Sequence, residues 1–119
     1  MDETQAKVDG FFERYAAALL ARDAAAIAGM YAVPSLILFP GTSIPVNDAR
    51  QTEEFFASAF VQYDGVNDVA QKIAVMAEAP GTVWADVTWS YAGRPPERFC
   101  YQLIETAGGY RIAVLTLMA

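Results

Sequence analysis

The chain has 119 residues, a formal net charge of −6, one cysteine and no histidine. This length allows one domain over residues 1–119, and the charge argues against nucleic acid or a membrane as partner, because phosphate binding requires clustered Lys and Arg. One cysteine cannot form an intramolecular disulfide, and the lack of histidine removes the Ser-His-Asp triad and nearly all zinc sites. We therefore expect no metal and no cofactor. Since no long apolar run follows the acidic start, we also expect a cytoplasmic protein.

The first third of the chain predicts two helices. Apolar residues recur at three- and four-residue spacing on one helical stripe, which consists of Val8, Phe11, Phe12, Tyr15 and Leu19. Asp2 followed by Gln5 is a start signal for this helix. Asp23 is suited to cap a second, short helix, and Pro34 prevents its continuation. The inner side of this second helix is expected to carry Ile27, Met30 and Tyr31.

The middle of the chain predicts a strand, a loop and a third helix. Residues 36–39 are apolar and stop at a Pro-Gly pair, which predicts a short strand and a turn. The Gly, Pro, Ser, Thr and Asn content of residues 41–47 predicts a loop. Asn47 or Asp48 can cap the helix that follows. The buried face of this helix is expected to consist of Thr52, Phe55, Phe56, Ala59 and Phe60.

The remaining chain predicts four strands, of which the last three form an antiparallel meander. They cover about 69–79, 82–91, 97–105 and 110–118, with turns containing Pro or Gly between them. Side chains alternate across a strand, so one face of the second of these strands is directed inward. That face consists of Val83, Ala85, Val87, Trp89 and Tyr91. The whole pattern predicts an α+β fold with three N-terminal helices packed on a curved antiparallel sheet.

Several segments carry a family resemblance. They are residues 12–23 running into 27–31, Phe-Pro-Gly at 39–41 followed by the helix with Phe55-Phe56, and the ending at 109–113. With these segments the chain resembles the NTF2-like, or cystatin-like cone, superfamily, and within it the ketosteroid isomerase and SnoaL-like branch. The resemblance implies a cone whose open end admits a small, often hydrophobic ligand. It also implies dimerisation through the outer face of the sheet.

Comparison with the isomerase pattern implies that hydrogen-bond donors are present and that the base is missing. Tyr15 matches the tyrosine that donates to the oxyanion in such enzymes, and Tyr101 replaces their second, protonated acid. The position of the catalytic aspartate is occupied by Phe39, and a tyrosine that contacts this base in some members corresponds to Phe56. Enolisation requires a proton acceptor within hydrogen-bond reach, and a tyrosine with a pKa of about 10 is a poor base at neutral pH.

The candidate ligand contacts are the side chains expected to face the interior of the cone. They come from the odd-numbered face of strands 82–91 and 97–105, from the last strand in the same register, and from the helices and the short strand. The complete set is Tyr15, Tyr31, Phe39, Phe56, Val87, Trp89, Phe99, Tyr101, Val114, Thr116 and Met118. Tyr15 and Tyr101 are the strongest candidates, because a buried hydroxyl needs a partner that a ligand, a water or the other tyrosine can supply.

The opposite face of the sheet is expected to be apolar as well. It would expose Trp84, Cys100, Ile104, Ala113, Leu115 and Leu117 in a monomer. A contiguous apolar patch usually marks an interface, so we expect a homodimer joined through this face. Asp86 shares the outer parity, and Cys100 is interpreted as apolar filler rather than a reactive thiol.

Three functions follow from these patterns. The leading hypothesis is binding of a small hydrophobic or aromatic molecule in the cone, without an assignable catalytic centre. The second is an isomerase- or cyclase-like enzyme that uses Tyr15 and Tyr101 as donors and a loop acid such as Asp48 as base. The third is a non-catalytic assembly subunit that uses only the surface of its sheet.

Overall fold

The computed structural model describes residues 2–118 and the side chains of residues 3–118. The elements in chain order are α1 (Asp2–Leu20), α2 (Ala24–Ala28), β1 (Tyr31–Phe39), β2 (Thr42–Val46), α3 (Ala49–Ala59), a 3-10 turn (Phe60–Tyr63), β3 (Val69–Ala79), β4 (Thr82–Tyr91), β5 (Glu97–Thr106) and β6 (Gly109–Met118). The start signal at Asp2 lies outside the described side chains. Asp23 caps α2 as predicted, accepting from the N–H of Ala26 at 3.1 Å. Asp48 caps α3 in a capping box with Gln51.

All six strands form one sheet in the order β2-β1-β6-β5-β4-β3. Neighbouring strands are antiparallel, except that β1 and β6 are parallel. The predicted stripe of α1 is buried, with Val8, Phe11, Phe12 and Tyr15 each at most 2% exposed. The α+β fold with three helices on a curved sheet is therefore confirmed. No helix within residues 2–118 is long and apolar enough to cross a membrane.

The structure corrects the prediction between α2 and α3. α2 ends at Ala28, and Tyr31, which was expected on its inner side, begins β1 instead. The segment 41–47, expected to be a loop, contains β2. Pro45 of β2 has no N–H to donate, but β2 is an edge strand, where one side of the backbone needs no partner. Two strands therefore precede the third helix.

An extra residue in β6 changes which side chains face the interior. Gln102 of β5 lies opposite Val114, whereas the next residue, Leu103, lies opposite Ile112. Ala113 is therefore an unpaired bulge residue. Because side chains alternate with a period of two, a bulge reverses the predicted parity for every residue that follows it.

The predicted orientation of the end of β6 was wrong for this reason. Leu115 and Leu117, expected on the outer face, face inward opposite Tyr101 and Phe99. The residues directed to the outer face are instead Val114, Thr116 and Met118. Cys100 lies on the outer face as predicted, half-buried, and burial raises the pKa of its thiol.

Candidate functional site

The inner face of the sheet, the end of α1, α3 and the 3-10 turn surround a cavity of about 820 Å³. Most of its wall is aromatic or aliphatic. Of the predicted ligand contacts, the following line it: Tyr15, Phe39, Phe56, Trp89, Phe99 and Tyr101. At one end of the cavity the wall residues, such as Trp89, are fully buried, and we call this the inner end. At the other end they are half-buried, as Phe99 is, and we call this the mouth.

The other predicted contacts lie elsewhere. Tyr31 and Val87 are buried in the core and do not line the cavity. Tyr31 nevertheless contacts the wall from behind, through Tyr15 and Phe56. The structure thus brings together the aromatic residues of α1, α3, β4 and β5. The predicted contacts Val114, Thr116 and Met118 of β6 lie apart from these aromatic residues, on the outer face of the sheet.

Three tyrosines at the inner end, Tyr15, Tyr31 and Tyr101, form what we call the buried tyrosine cluster. The hydroxyl oxygens of Tyr15 and Tyr31 are 2.6 Å apart and share one hydrogen bond. The indole N–H of Trp89 donates to the hydroxyl of Tyr101 at 3.1 Å. The rings of Tyr15 and Tyr101 are edge-to-face, with centroids 6.0 Å apart. A single packed group therefore forms the inner wall.

This cluster has more O–H donors than protein acceptors. Each phenol carries one proton, and the bond between Tyr15 and Tyr31 uses only one of their two. Tyr101 accepts from Trp89, and its own proton has no acceptor among the described residues. When Tyr31 donates to Tyr15, the protons of Tyr15 and Tyr101 are both free. These are the two cluster members that line the cavity.

The phenols of the cluster stay neutral at physiological pH. Burial is the main cause that raises the pKa of Tyr15, Tyr31 and Tyr101 well above the ordinary value of 10. A phenolate in this position would lose its hydration without gaining a cation, so the charged form is disfavoured. The inner end can therefore donate hydrogen bonds to a ligand oxygen, and it cannot accept a proton.

A carboxylate, Glu97, lines the mouth of the cavity. The hydroxyl of Tyr63 donates to it at 2.8 Å and 3.1 Å, and the hydroxyl of Tyr91 donates at 2.9 Å. The rings of the two tyrosines are 5.5 Å apart. We call these three residues the Glu97 cluster. All three also line a shallower depression of about 300 Å³ beside the mouth.

Burial and the carboxylate both hold the phenols of this cluster in the protonated form. Burial, followed by the hydrogen bond to Glu97, raises the pKa of Tyr63 to about 12. The same two causes raise the pKa of Tyr91 further. Phenol donors beside a carboxylate are stable as neutral groups, because their ionisation would place two negative charges in contact.

Arg22 positions the 3-10 turn that carries Tyr63. The chain reverses after α1 with Arg22 in the left-handed region, at a φ of 56°. This conformation ends the helix and directs the guanidinium toward the turn. The guanidinium then donates to the backbone carbonyls of Tyr63 at 2.8 Å and Val66 at 3.1 Å. Arg22 thus fixes the backbone of the turn that carries Tyr63.

Arg94 fixes the same turn from the opposite side. It lies in the connection between β4 and β5, and it donates to the backbone carbonyls of Gln62 and Asp64. Its guanidinium also stands over the ring of Tyr63, 5.9 Å from the centroid. Two arginines therefore hold Tyr63 where it can reach Glu97.

Glu97 was not among the predicted ligand contacts, although the sequence contains a signal for it. Glu97 has the same parity as Phe99 and Tyr101 on one strand, and that parity was assigned to the interior. The residues just before it, Arg94, Pro95 and Pro96, are typical of a solvent-exposed turn, which conceals its place on the strand. The loop acid that was considered, Asp48, is exposed, caps α3 through the N–H of Gln51 at 3.0 Å and does not line the cavity.

The pattern of the NTF2-like family DUF6841 matches residues 2–118. The chain belongs to this NTF2-like family. The superfamily named from the sequence is therefore confirmed, while the ketosteroid isomerase and SnoaL-like branch stays a prediction. None of the curated proteins matches the chain.

Solved structures of low sequence identity have the same fold. Aln2 from a Streptomyces species is 18% identical, with a TM-score of 0.75 over 98% of this chain and 91% of that one. A protein of unknown function from the DUF3225 family of Pectobacterium atrosepticum is 18% identical, with a TM-score of 0.72 over 100% and 94%. A domain of unknown function with a cystatin-like fold from Nostoc punctiforme is 12% identical, with a TM-score of 0.72 over 99% and 78%.

Proposed function

We propose that this protein binds a small hydrophobic or aromatic molecule in its cavity. The observation that carries the proposal is the largely apolar cavity of about 820 Å³, open at the Glu97 cluster and closed by the buried tyrosine cluster. Pockets for small molecules typically have volumes of roughly 300–1,000 Å³ and mainly apolar walls with a few polar groups. The free O–H group of Tyr101, together with that of Tyr15 when Tyr31 donates to it, suits a ligand with a carbonyl or ether oxygen at its buried end.

The test uses Trp89 as a fluorescent reporter in the cavity wall. The only other tryptophan, Trp84, lies on the outer face, so Trp84→Phe leaves a single reporter. The probe is 2-acetonaphthone, which combines an aromatic body with one carbonyl. We expect saturable quenching of Trp89 and a rise in melting temperature that grows with probe concentration. Linear, non-saturating quenching with no change in melting temperature would overturn the proposal.

A matched pair of variants on α3 shows where the probe binds. Ala59 lines the cavity, whereas Ala57 on the same helix is exposed and does not. Ala59→Trp fills part of the cavity with an indole ring. It should weaken binding at least about tenfold, because the probe then loses many of its contacts with the wall. Ala57→Trp should leave binding unchanged. Because both variants add a second tryptophan, their affinities are measured by calorimetry.

The same probe tests the enzymatic alternative. Its methyl ketone is enolisable, so a proton acceptor in the cavity would catalyse exchange of the methyl protons with deuterated water. Asp48 serves as the cap of α3, and Glu97 lies at the mouth with two tyrosines donating to it, away from the inner end that receives the ketone oxygen. We therefore expect binding without exchange above the rate in buffer. Exchange that is lost in Tyr15→Phe would instead support the isomerase-like function.

We also propose that the outer face of the sheet joins two copies of the chain. Half-buried side chains of four neighbouring strands meet there: Leu36, Leu38, Trp84, Cys100, Gln102, Ile104, Val114, Thr116 and Met118. Asp86 and Arg98 on this face neutralise each other, with oxygen–nitrogen distances of 2.9 Å and 2.6 Å. A twofold interface brings the same face of two copies together, so it requires a face without strong charge repulsion. The paired charges of Asp86 and Arg98 meet this requirement locally, although the net charge of the whole chain is −6.

Light scattering of two variants tests the dimer. Trp84→Glu places a charge on the outer face and should convert a dimer into a monomer. Val61→Glu is the control, because Val61 is 76% exposed on the 3-10 turn, away from the sheet. A wild-type monomer at micromolar concentration would overturn this proposal without affecting the ligand site.

A further inference from the structure

Glu97 has hydrogen-bonding capacity that no described residue uses. Its Oε1 accepts from Tyr63 at 2.8 Å and from Tyr91 at 2.9 Å, whereas Oε2 accepts only from Tyr63, at 3.1 Å. Tyr63 has a single proton, which it shares between the two oxygens. A carboxylate offers about four acceptor positions. Most of the capacity of Oε2 is therefore free at the mouth of the cavity.

Among the described side chains, Glu97 forms no ion pair with Lys or Arg. Arg22 also lines the cavity, but its guanidinium already donates to the backbone carbonyls of Leu19, Leu20, Tyr63 and Val66. The remaining charged residue of the wall is a second carboxylate, Glu54. Arg94 lines the depression beside the mouth, but its guanidinium donates to the backbone carbonyls of Gln62 and Asp64. The wall at the mouth therefore offers carboxylate oxygens that accept hydrogen bonds.

We propose that Glu97 binds the hydrogen-bond donor of the ligand, a hydroxyl or a protonated amine at the end of an aromatic body. The proposal rests on the ligand binding proposed above and specifies its polarity. The inner end, where Tyr101 and (when Tyr31 donates to it) Tyr15 have a free O–H, receives a ligand oxygen. The mouth receives a ligand O–H or N–H. Tyr63 and Tyr91 are positioning residues, since they orient the carboxylate.

A structural role alone would have a different signature. Glu97 also ties the 3-10 turn to the end of β4 through its two tyrosines. If this were its only role, replacing it would change stability and leave the discrimination between ligands unchanged. The informative measurement is therefore the ratio of affinities for matched ligands, rather than stability.

Four naphthalene derivatives that differ in one substituent provide this ratio. They are 2-(aminomethyl)naphthalene as the cation, 2-naphthalenemethanol as the neutral donor, 2-methylnaphthalene without a donor, and 2-naphthoate as the anion. Binding to Trp84→Phe is followed by quenching of Trp89 at neutral pH. A hydrogen bond to a charged group favours the donor by a factor of roughly ten or more. We expect affinity to fall in the order cation, alcohol, methyl compound, anion.

Two glutamine variants in the same background identify the residue responsible. In Trp84→Phe/Glu97→Gln the preference for the cation over the methyl compound should fall from at least about tenfold to less than about threefold. The affinity of the methyl compound should stay the same within about twofold, because it makes no hydrogen bond. Glu54→Gln removes the same charge from an exposed position of the wall and should keep the full preference.

The outcomes separate this inference from the proposal on which it rests. Saturable binding of all four probes with equal affinity would overturn the role of Glu97 and leave ligand binding intact. A preference that persists in Glu97→Gln, or that disappears in Glu54→Gln, would also overturn it. Absence of saturable binding for every probe would overturn both. If Glu97→Gln does not fold, the order of the four probes in Trp84→Phe still decides, since equal or reversed affinities contradict the proposal.

Discussion

The two clusters of the cavity both contain tyrosines, but one has unused hydrogen-bond donors and the other has unused acceptors. In the buried cluster, Tyr15 and Tyr31 have two hydroxyl protons but form only one hydrogen bond with each other, so donors remain in excess. In the Glu97 cluster, Tyr63 and Tyr91 donate their protons to a carboxylate, and acceptor capacity remains in excess. The difference shows that the partner of a phenol, rather than the phenol itself, decides what a site offers to a ligand.

The largest effect expected from this comparison is alkaline unfolding. Every tyrosine of the buried cluster has a pKa raised well above 10 by burial. Above pH 10 the unfolded chain therefore loses protons that the folded chain retains. Ionisation of these tyrosines leaves the free energy of unfolding unchanged below about pH 10 and lowers it as the pH rises further. The decrease continues through pH 12, which is about the pKa of Tyr63. We expect cooperative unfolding in strong alkali.

Absorbance of phenolate and circular dichroism, recorded together against pH, measure this effect. The buried cluster should ionise only as the β signal disappears, whereas Tyr63 should begin to ionise in the folded protein. Ionisation of all six tyrosines near pH 10 with the fold intact would contradict the assigned burial.

The next effect is the loss of a ring from one cluster or the other. Tyr101→Ala removes a buried ring and leaves the indole N–H of Trp89 without its acceptor. By analogy with other buried aromatic truncations, it should lower the free energy of unfolding by about 3–5 kcal/mol. Tyr63→Ala should cost less than half as much, because Tyr63 is half-buried. Urea denaturation measures both, and equal losses would show that the two ends of the cavity are packed alike.

The smallest effect is the removal of a single hydroxyl. Tyr15→Phe keeps the ring and breaks the bond to Tyr31, and should lower the free energy of unfolding by about 0.5–1.5 kcal/mol. Tyr31→Phe should behave similarly. The double variant should cost less than the sum of the two, because one shared hydrogen bond can be lost only once. Additive losses would mean that the two hydroxyls do not interact.

The fold and the inner end could be predicted from the sequence because they follow regular periods. The 3.6-residue period of α1 placed Phe12 and Tyr15 in the core, and the strict alternation of β4 placed Trp89 on the inner face. Turn residues between the strands indicated the meander. These signals are local, so a single sequence contains them.

The mouth and the end of β6 could not be predicted in the same way. The bulge at Ala113 leaves no composition signal, and it moved Leu115 and Leu117 inward. The role of Glu97 depends on Tyr63, which lies 34 positions away in the chain and is brought near by arginine contacts to backbone carbonyls. Contacts between residues so far apart in the chain leave no periodic pattern in the sequence from which they could be predicted. The strand β2 was missed because its proline is typical of loops as well as of edge strands.

The bulge in β6 also affects how this chain is to be aligned with its relatives. Ile112 and Val114 lie opposite the consecutive residues Leu103 and Gln102, so a shorter homologue that lacks Ala113 would direct the same leucines into the cavity. An alignment without a gap at that point would equate wall residues of one protein with surface residues of the other. Ligand preferences inferred across such an alignment would then be assigned to the wrong side of the molecule.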